Sequence, residues 1–335
     1  FLFVPWFGSV TTLLVIAAVY GIAALVCFWL GAASRREVLV STAGLCLAFL
    51  TGLGALHLPT ICDRESSYYC LRTIALSDDP QDPVRLMVVD HLAHGISGRE
   101  DPRLMYTDHA AMLDALPRMR MVRRDSTSFH IATGTYSVPR AWADRGISGI
   151  TIAEIDPEVT ATAVDTFWFD PTTATIVHGD ARLALRNSAK QFDVIVGDAF
   201  TDIAAPEHLV TQEFFSLVSN RLAPGGIFAM NLIDNVDRLD ALAAVVTTLR
   251  AVFPSVEVWT EASTPIPNER RVFVLVASAT DSPVSAIDAL APEPIRFQAL
   301  EPVFLNGILA QKNARILTDN HAPLTHLMGF DPVID

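Results

Sequence analysis

Charge is missing from the start of this chain. Residues 1–34 contain no Asp, Glu, Lys or Arg; Arg35, Arg36 and Glu37 come together, and the next charge is Asp63. Basic residues are scarce throughout, 24 against 37 acidic ones, and the first 62 residues hold two basic and one acidic group, so the remainder carries −14 against −13 overall. That sign excludes a nucleic-acid binder, which needs a basic face to neutralise phosphates. It suits a cationic ligand, although an acidic surface also serves solubility. Cysteines number four, and no Cys/His spacing resembles a zinc site, so no metal is expected. No internal repeat or low-complexity tract appears. No basic segment precedes the first apolar run, which argues against a signal peptide.

What is present is unevenly spread. Hydrophobic residues make up 51% and charged residues 18%, with the excess concentrated in two runs, Ser9 to Ala32 and Val38 to Leu58. About 20 apolar residues cross a bilayer. Both runs are hydrophobic all round, and Gly21, Gly31, Gly44, Gly52 and Gly54 suit close helix approach in a membrane. The competing reading is a pair of buried helices in a soluble core. Two transmembrane helices over 1–62 are therefore expected, and the start at Phe1 suggests the tail of a longer membrane region. The Arg35-Arg36 loop should face the cytoplasm, sending everything after Asp63 to the opposite side; two arginines are a small bias that other spans would override. Cys27 and Cys46 read as packing residues. Cys62 and Cys70 flank a short polar segment and can pair only on an oxidising side.

From about Val84 a strand (residues 85–90) leads into a loop rich in Gly, His and Asp, then a helical stretch near Arg103 to Leu116. Residues 63–120 are read as a small β-rich part. Across 121–335 short apolar runs alternate with amphipathic segments: strands at Ser128–Ala132, Gly149–Ile155, Ala174–Val177, Phe192–Val196, Ile227–Leu232, Val256–Trp259 and Val272–Ala277. Helices fall between them, with Pro157 near one start, and Pro283–Pro294 reads as a loop. This alternation with near-continuous apolar strands predicts an α/β, Rossmann-like doubly wound sheet.

In such a sheet ligands bind outside the carboxyl ends of the strands. There the sequence places Gly134 and Thr135, then Glu154, twenty positions after Gly134, then Asp180, then Asp198 with Asp202. A glycine turn lets backbone approach a nucleoside, and an acid some twenty residues on takes both ribose hydroxyls. An Asp at the next strand end can accept from an adenine amine, and Asp198 would sit where a reacting amine gives up its proton. Singly each has a plain structural reading as turn or N-cap; together they point to an adenosyl site.

Glu154-Ile155-Asp156-Pro157-Glu158-Val159, His178-Gly179-Asp180-Ala181 and Asp198-Ala199-Phe200 resemble the spermidine synthases, polyamine aminopropyltransferases of the class I methyltransferase fold. Glu65-Ser66-Ser67-Tyr68-Tyr69 resembles their small N-terminal β-domain. Asp90-His91-Leu92-Ala93-His94-Gly95, Tyr106-Thr107-Asp108 and Leu317-Thr318-Asp319-Asn320-His321-Ala322-Pro323 resemble the bacterial branch in which membrane helices precede the synthase-like domain. The resemblance implies a multi-pass protein of the bacterial inner membrane that transfers an aminopropyl group from decarboxylated S-adenosylmethionine, or a related adenosyl sulfonium, to a small amine. It implies Glu154 on ribose, Asp180 on adenine, Gly134 and Thr135 at the donor loop, Asp198 as catalytic carboxylate, and Asp202, Tyr68, Tyr106 and Asp108 about the acceptor. Where the family has an acid closing the glycine-rich stretch, this chain has Thr135, which brings no negative charge; His94 replaces a Gln. The departures leave a second expectation, a non-catalytic subunit of a membrane complex or homo-oligomer. His94 and His109 are candidates for proton carriers or satisfied histidines, and Trp168 and Phe169 for adenine stacking or packing.

Overall fold

The computed structural model describes residues 4–31, 34–55, 61–120, 124–199, 206–289 and 291–328. The chain divides into two compact units, Phe1–Arg72 and Thr73–Asp335.

The first unit opens with α1 (Val4–Leu30) and α2 (Arg35–Ala55), α1 being broken at Gly8, where φ is 74°. Thr11–Leu30 has a mean hydropathy of 2.6, none of it is buried, and it is long enough to cross a membrane. The apolar part of α2 is shorter, Val40–Gly54, about 22 Å at 1.5 Å per residue against a hydrocarbon core of about 30 Å. Among the described residues the expected pair of spanning helices is thus corrected to one candidate, and a multi-pass arrangement finds no support. Arg35, Arg36 and Glu37 take up the first turn of α2 and leave too little apolar length behind them. The helices run antiparallel, with Gly21 against Leu45 and Gly52 against Leu14, small residues admitting the neighbour's side chain. Beyond them β1 (Arg64–Glu65) pairs antiparallel with β2 (Cys70–Ala75), and a Cys62–Cys70 disulfide closes the hairpin.

The second unit begins with a hairpin of β3 (Val84–Val89) and β4 (Leu92–Gly98), turned at Asp90 with φ 55°. Much of the loop expected after residue 90 is therefore a strand, hidden in the sequence by its glycines and histidine. The helix α3 (Asp108–Arg118) starts later than its apolar pattern suggests. Then follow β5 (Thr127–Ile131), α4 (Ser137–Asp144), β6 (Gly149–Glu154), α5 (Pro157–Thr166), β7 (Thr175–His178), α6 (Ala181–Asn187), β8 (Phe192–Gly197), α7 (Gln212–Arg221), β9 (Leu222–Asn235) and α8 (Asp240–Arg250). The chain continues through β10 (Ser255–Glu261), β11 (Arg270–Ser278), β12 (Ala286–Ala289), β13 (Ile295–Ala299), α9 (Pro302–Lys312) and α10 (Leu324–Leu327). The strand β12 replaces the loop expected over Pro283–Pro294.

One sheet runs β12-β13-β10-β11-β9-β8-β5-β6-β7. From β9 to β7 neighbours are parallel; from β9 to β12 they are antiparallel. The sheet is mixed: the Rossmann-like α/β expectation holds in its parallel half. The chain starts at β5, steps outward to β6 and β7, then returns to β8 on the other side. That reversal opens a crevice at the carboxyl ends of β5 and β8, where such sheets bind ligands. Apolar side chains pack both faces beneath it, among them Phe129, Ile152, Ile195, Phe215 and Leu242, each at most 1% exposed.

Candidate active site

Past the end of β5 the backbone turns through three left-handed residues, Ala132 (φ 49°), Gly134 (φ 51°) and Tyr136 (φ 60°). Left-handed backbone away from glycine costs energy and persists where surrounding packing fixes it. Here the packing is β4. A Cβ at Gly134 would lie 2.8 Å from His94 Cδ2, and one at Gly95 2.9 Å from Thr135 Oγ1, so each glycine leaves room for a side chain opposite. The Thr135 hydroxyl is shared with Ser137 Oγ at 2.9 Å.

Glu154 closes β6 at 3% exposure and accepts the N–H of Asp156 at 3.0 Å. Burial pushes its carboxyl up to about 7. The next residue, Ile155, is 38% exposed, and Leu183 on α6 is 52% exposed. Between them, after β7, Gly179 has φ 145° with nothing within 4 Å of a Cβ position. Asp180 caps α6 by accepting the Leu183 N–H at 2.8 Å, and His208 Nε2 lies 2.8 Å from its other oxygen. An open backbone step, an acid and two uncovered apolar side chains therefore share the rim beside Glu154.

Asp198 follows β8. Its N–H donates to Ile131 O at 2.9 Å, tying it to β5, and Asn231 Nδ2 on β9 donates to its Oδ1 at 2.8 Å. Desolvation pushes the Asp198 carboxyl up to about 8. It borders a cavity of about 10 Å³ whose lining includes His94, His109, His130, Thr133 and Thr135, room for about one water molecule. Desolvation lowers all three imidazoles, His109 to about 4 with the neighbouring His94 adding to it, and His130 to about 3. At neutral pH the chamber carries a protonated acid and three uncharged histidines. His130 Nδ1 and Asn231 Oδ1 are buried without a hydrogen-bond partner among the described residues.

The crevice thus brings together the Gly134–Thr135 loop and Asp198, with Glu154 and Asp180 on the adjoining strand ends. Tyr106 does not line the chamber: it packs over Gly98, and its hydroxyl is raised by desolvation and by Asp82 and Asp101. Asp108 lies elsewhere too, raised by desolvation and by Glu261 and lowered by Arg271. Tyr68 belongs to the first unit, 52% exposed beside Tyr69. Asp202 lies outside the described residues. Phe169 packs on Tyr136, and Trp168 sits against the guanidinium groups of Arg85 and Arg140 at 5.0 and 5.7 Å. Sequence reasoning missed Asn231 and His130; for Asn231 a polar residue inside the apolar run Ile227–Ile233 was a visible signal, whereas His130 shares its strand with Thr127 and Ser128 and stands out less. Among the described residues no group of three or more His, Cys, Asp or Glu is placed to hold a metal ion.

Acids at successive strand ends beside the reversal of a mixed sheet define a class, the α/β Rossmann-like methyltransferase-type fold with its ligand crevice at that rim. Within it, the Spermine/spermidine synthase domain matches residues 148–286. A polyamine aminopropyltransferase of Vibrio vulnificus is 30% identical over 207 residues, 58% of this chain and 67% of that protein. An N-terminal histidine N-methyltransferase of Emericella nidulans is 32% identical over 214 residues, 57% of this chain but 37% of its own length. The match thus spans between about a third and two thirds of these relatives. A probable spermidine synthase from Corynebacterium glutamicum shares the fold, with a TM-score of 0.65 and 19% identity over 77% of this chain and 97% of that one. The chain belongs to the spermine/spermidine synthase family.

Proposed function

We propose that the chain is an aminopropyltransferase whose donor is decarboxylated S-adenosylmethionine or a related adenosyl sulfonium and whose acceptor is a small amine. The observation that carries this reading is the convergence of Glu154, Asp180 and Asp198 on successive strand ends around the sheet reversal. Glu154 would accept from ribose hydroxyls, Asp180 from the adenine amine, and Ile155 and Leu183 would cover the purine faces. The acceptor nitrogen attacks the carbon bound to the sulfonium, the C–S bond breaks to leave a neutral thioether, and a proton leaves the nitrogen for Asp198. Because the donor is already activated, the protein mainly holds the amine in line and takes that proton. Of the residues expected about the acceptor, Asp202 stays a proposed contact, and Thr11–Leu30 is a proposed membrane anchor.

The test is calorimetry with 5′-methylthioadenosine and decarboxylated S-adenosylmethionine, together with turnover of Asp198→Asn. Binding of the nucleoside, turnover that rises with pH towards about 8 as Asp198 ionises, and its loss in Asp198→Asn with the fold intact are expected. No nucleoside binding at millimolar concentration defeats the reading.

A second reading, a non-catalytic subunit of a membrane complex, is favoured by the 10 Å³ chamber, by Thr135 in place of an acid, and by the disulfide, which belongs to an oxidising compartment where little of this donor would be met. It predicts stable co-purification with a membrane complex and no turnover.

A further inference from the structure

The sequence segment around Asp319 has no part in the transfer chemistry, yet it is bound into the rim of the crevice. Arg182, two residues after Asp180 on α6, donates to both Asp319 oxygens at 2.7 Å, and Arg182 holds that carboxyl down to about 2. Thr211, the N-cap of α7, donates to Asp319 Oδ1 at 2.7 Å, and the Asp319 N–H donates to Glu213 at 3.0 Å. The same Arg182 donates to the carbonyl of His208 at 3.1 Å. Three chain segments are thereby fastened at one point, and the side chain they present is the His208 imidazole against Asp180 Oδ2.

This matters because Asp180 has two oxygens with separate duties. Oδ1 is committed to the helix cap, which fixes one end of the carboxylate. Without a second tether the group can still rotate about its own bond to the chain. His208 Nε2–H supplies that tether, and because Asp180 is 30% exposed its remaining lone pairs still face a ligand.

We propose that His208 is a positioning residue for purine recognition, orienting Asp180 towards an exocyclic amine, with the Arg182–Asp319 pair holding His208 in place. The ligand class is an adenine nucleoside, and the inference rests on the adenosyl reading above. A site built to accept from an amine rejects an analogue lacking it. In the full chain, 5′-methylthioadenosine should therefore bind on the order of tenfold more tightly than 5′-methylthioinosine, the worth of one hydrogen bond to a charged group at a partly exposed site. His208→Ala should remove most of that ratio, weakening the adenosine form while leaving the inosine form within about twofold, since ribose contacts at Glu154 are untouched. His208→Gln, whose amide N–H can reach Asp180, should restore part of it. His208 is 49% exposed in its side chain, so folding should survive, and thermal melts of each variant check this. An unchanged ratio in a folded His208→Ala overturns the inference while the adenosyl reading stands. Failure of the unaltered protein to bind either nucleoside overturns both.

Discussion

Asp198 holds its proton to about pH 8 and Glu154 to about 7, and each makes folding pH-dependent. The unfolded chain releases these protons near pH 4, so above that the folded state binds more protons than the unfolded one. Stability therefore falls as pH rises, until the folded groups ionise as well. His109 and His130 act in the opposite sense: the folded protein keeps them neutral down to about 4 and 3. Their stabilisation is present above about 6.5 and lost as pH falls below it. The two effects overlap between about 4 and 6.5, which leaves pH 6.5 to 8 as the window governed by the acids. Urea midpoints taken there should decline with pH by up to about 1.4 kcal/mol per unit for each retained proton. In Asp198→Asn the decline should be smaller and should end near pH 7, where Glu154 stops contributing. A parallel decline in both proteins would show that Asp198 is ionised when folded.

Between elements, the critical contact joins β4 to the loop after β5. At Gly95 a methyl group would stand 2.9 Å from Thr135 Oγ1, 3.0 Å from its Cγ2 and 3.5 Å from its Cβ. The first is a collision, the second is tight enough that Thr135 must give by a few tenths of an ångström, and the third is ordinary contact. Gly95→Ala should cost about 1–3 kcal/mol, the range for forcing extra volume into packed structure. Thr135→Ala removes both crowding atoms, so the double variant should recover most of that loss; denaturation of all four proteins gives the coupling energy directly. Additive losses would mean that β4 and the loop do not touch. This contact also marks where the sequence stops being informative. The ends of β6, β7 and β8 were legible because each apolar run closes on an acid or a glycine–acid pair, a local pattern. The strand β4 was not, since Leu-Ala-His-Gly-Ile-Ser-Gly lacks β-branched residues apart from Ile96, and its partners are non-local. Thr135 read as a missing charge; that it fills the space left by Gly95 needs two segments about forty residues apart. Asn231 likewise shows its purpose once β9 lies beside β8.

At the scale of the molecule, the first unit poses a solvation problem that the second does not share. Along Thr11–Leu30 none of the span is buried, and Tyr20, Trp29 and Leu30 are 74%, 93% and 84% exposed. Burying apolar surface contributes roughly 25 cal/mol per Å², so a helix that exposes most of its apolar surface is driven to exchange water for lipid. The proposed anchoring then makes a directional prediction. Val19→Arg, near the middle of the span and 59% exposed, should cost about 2.5–3.5 kcal/mol of insertion and move protein from the membrane to the soluble fraction. For a helix lying in water the same change would leave the distribution as it was. The Cys62–Cys70 bond then gives the anchored protein a sidedness, because such pairs persist in oxidising compartments. In intact cells, an impermeant thiol reagent should label Cys62 and Cys70 only after an impermeant reductant has been applied outside. Labelling that needs lysis but no reductant would place these thiols, reduced, on the cytoplasmic side.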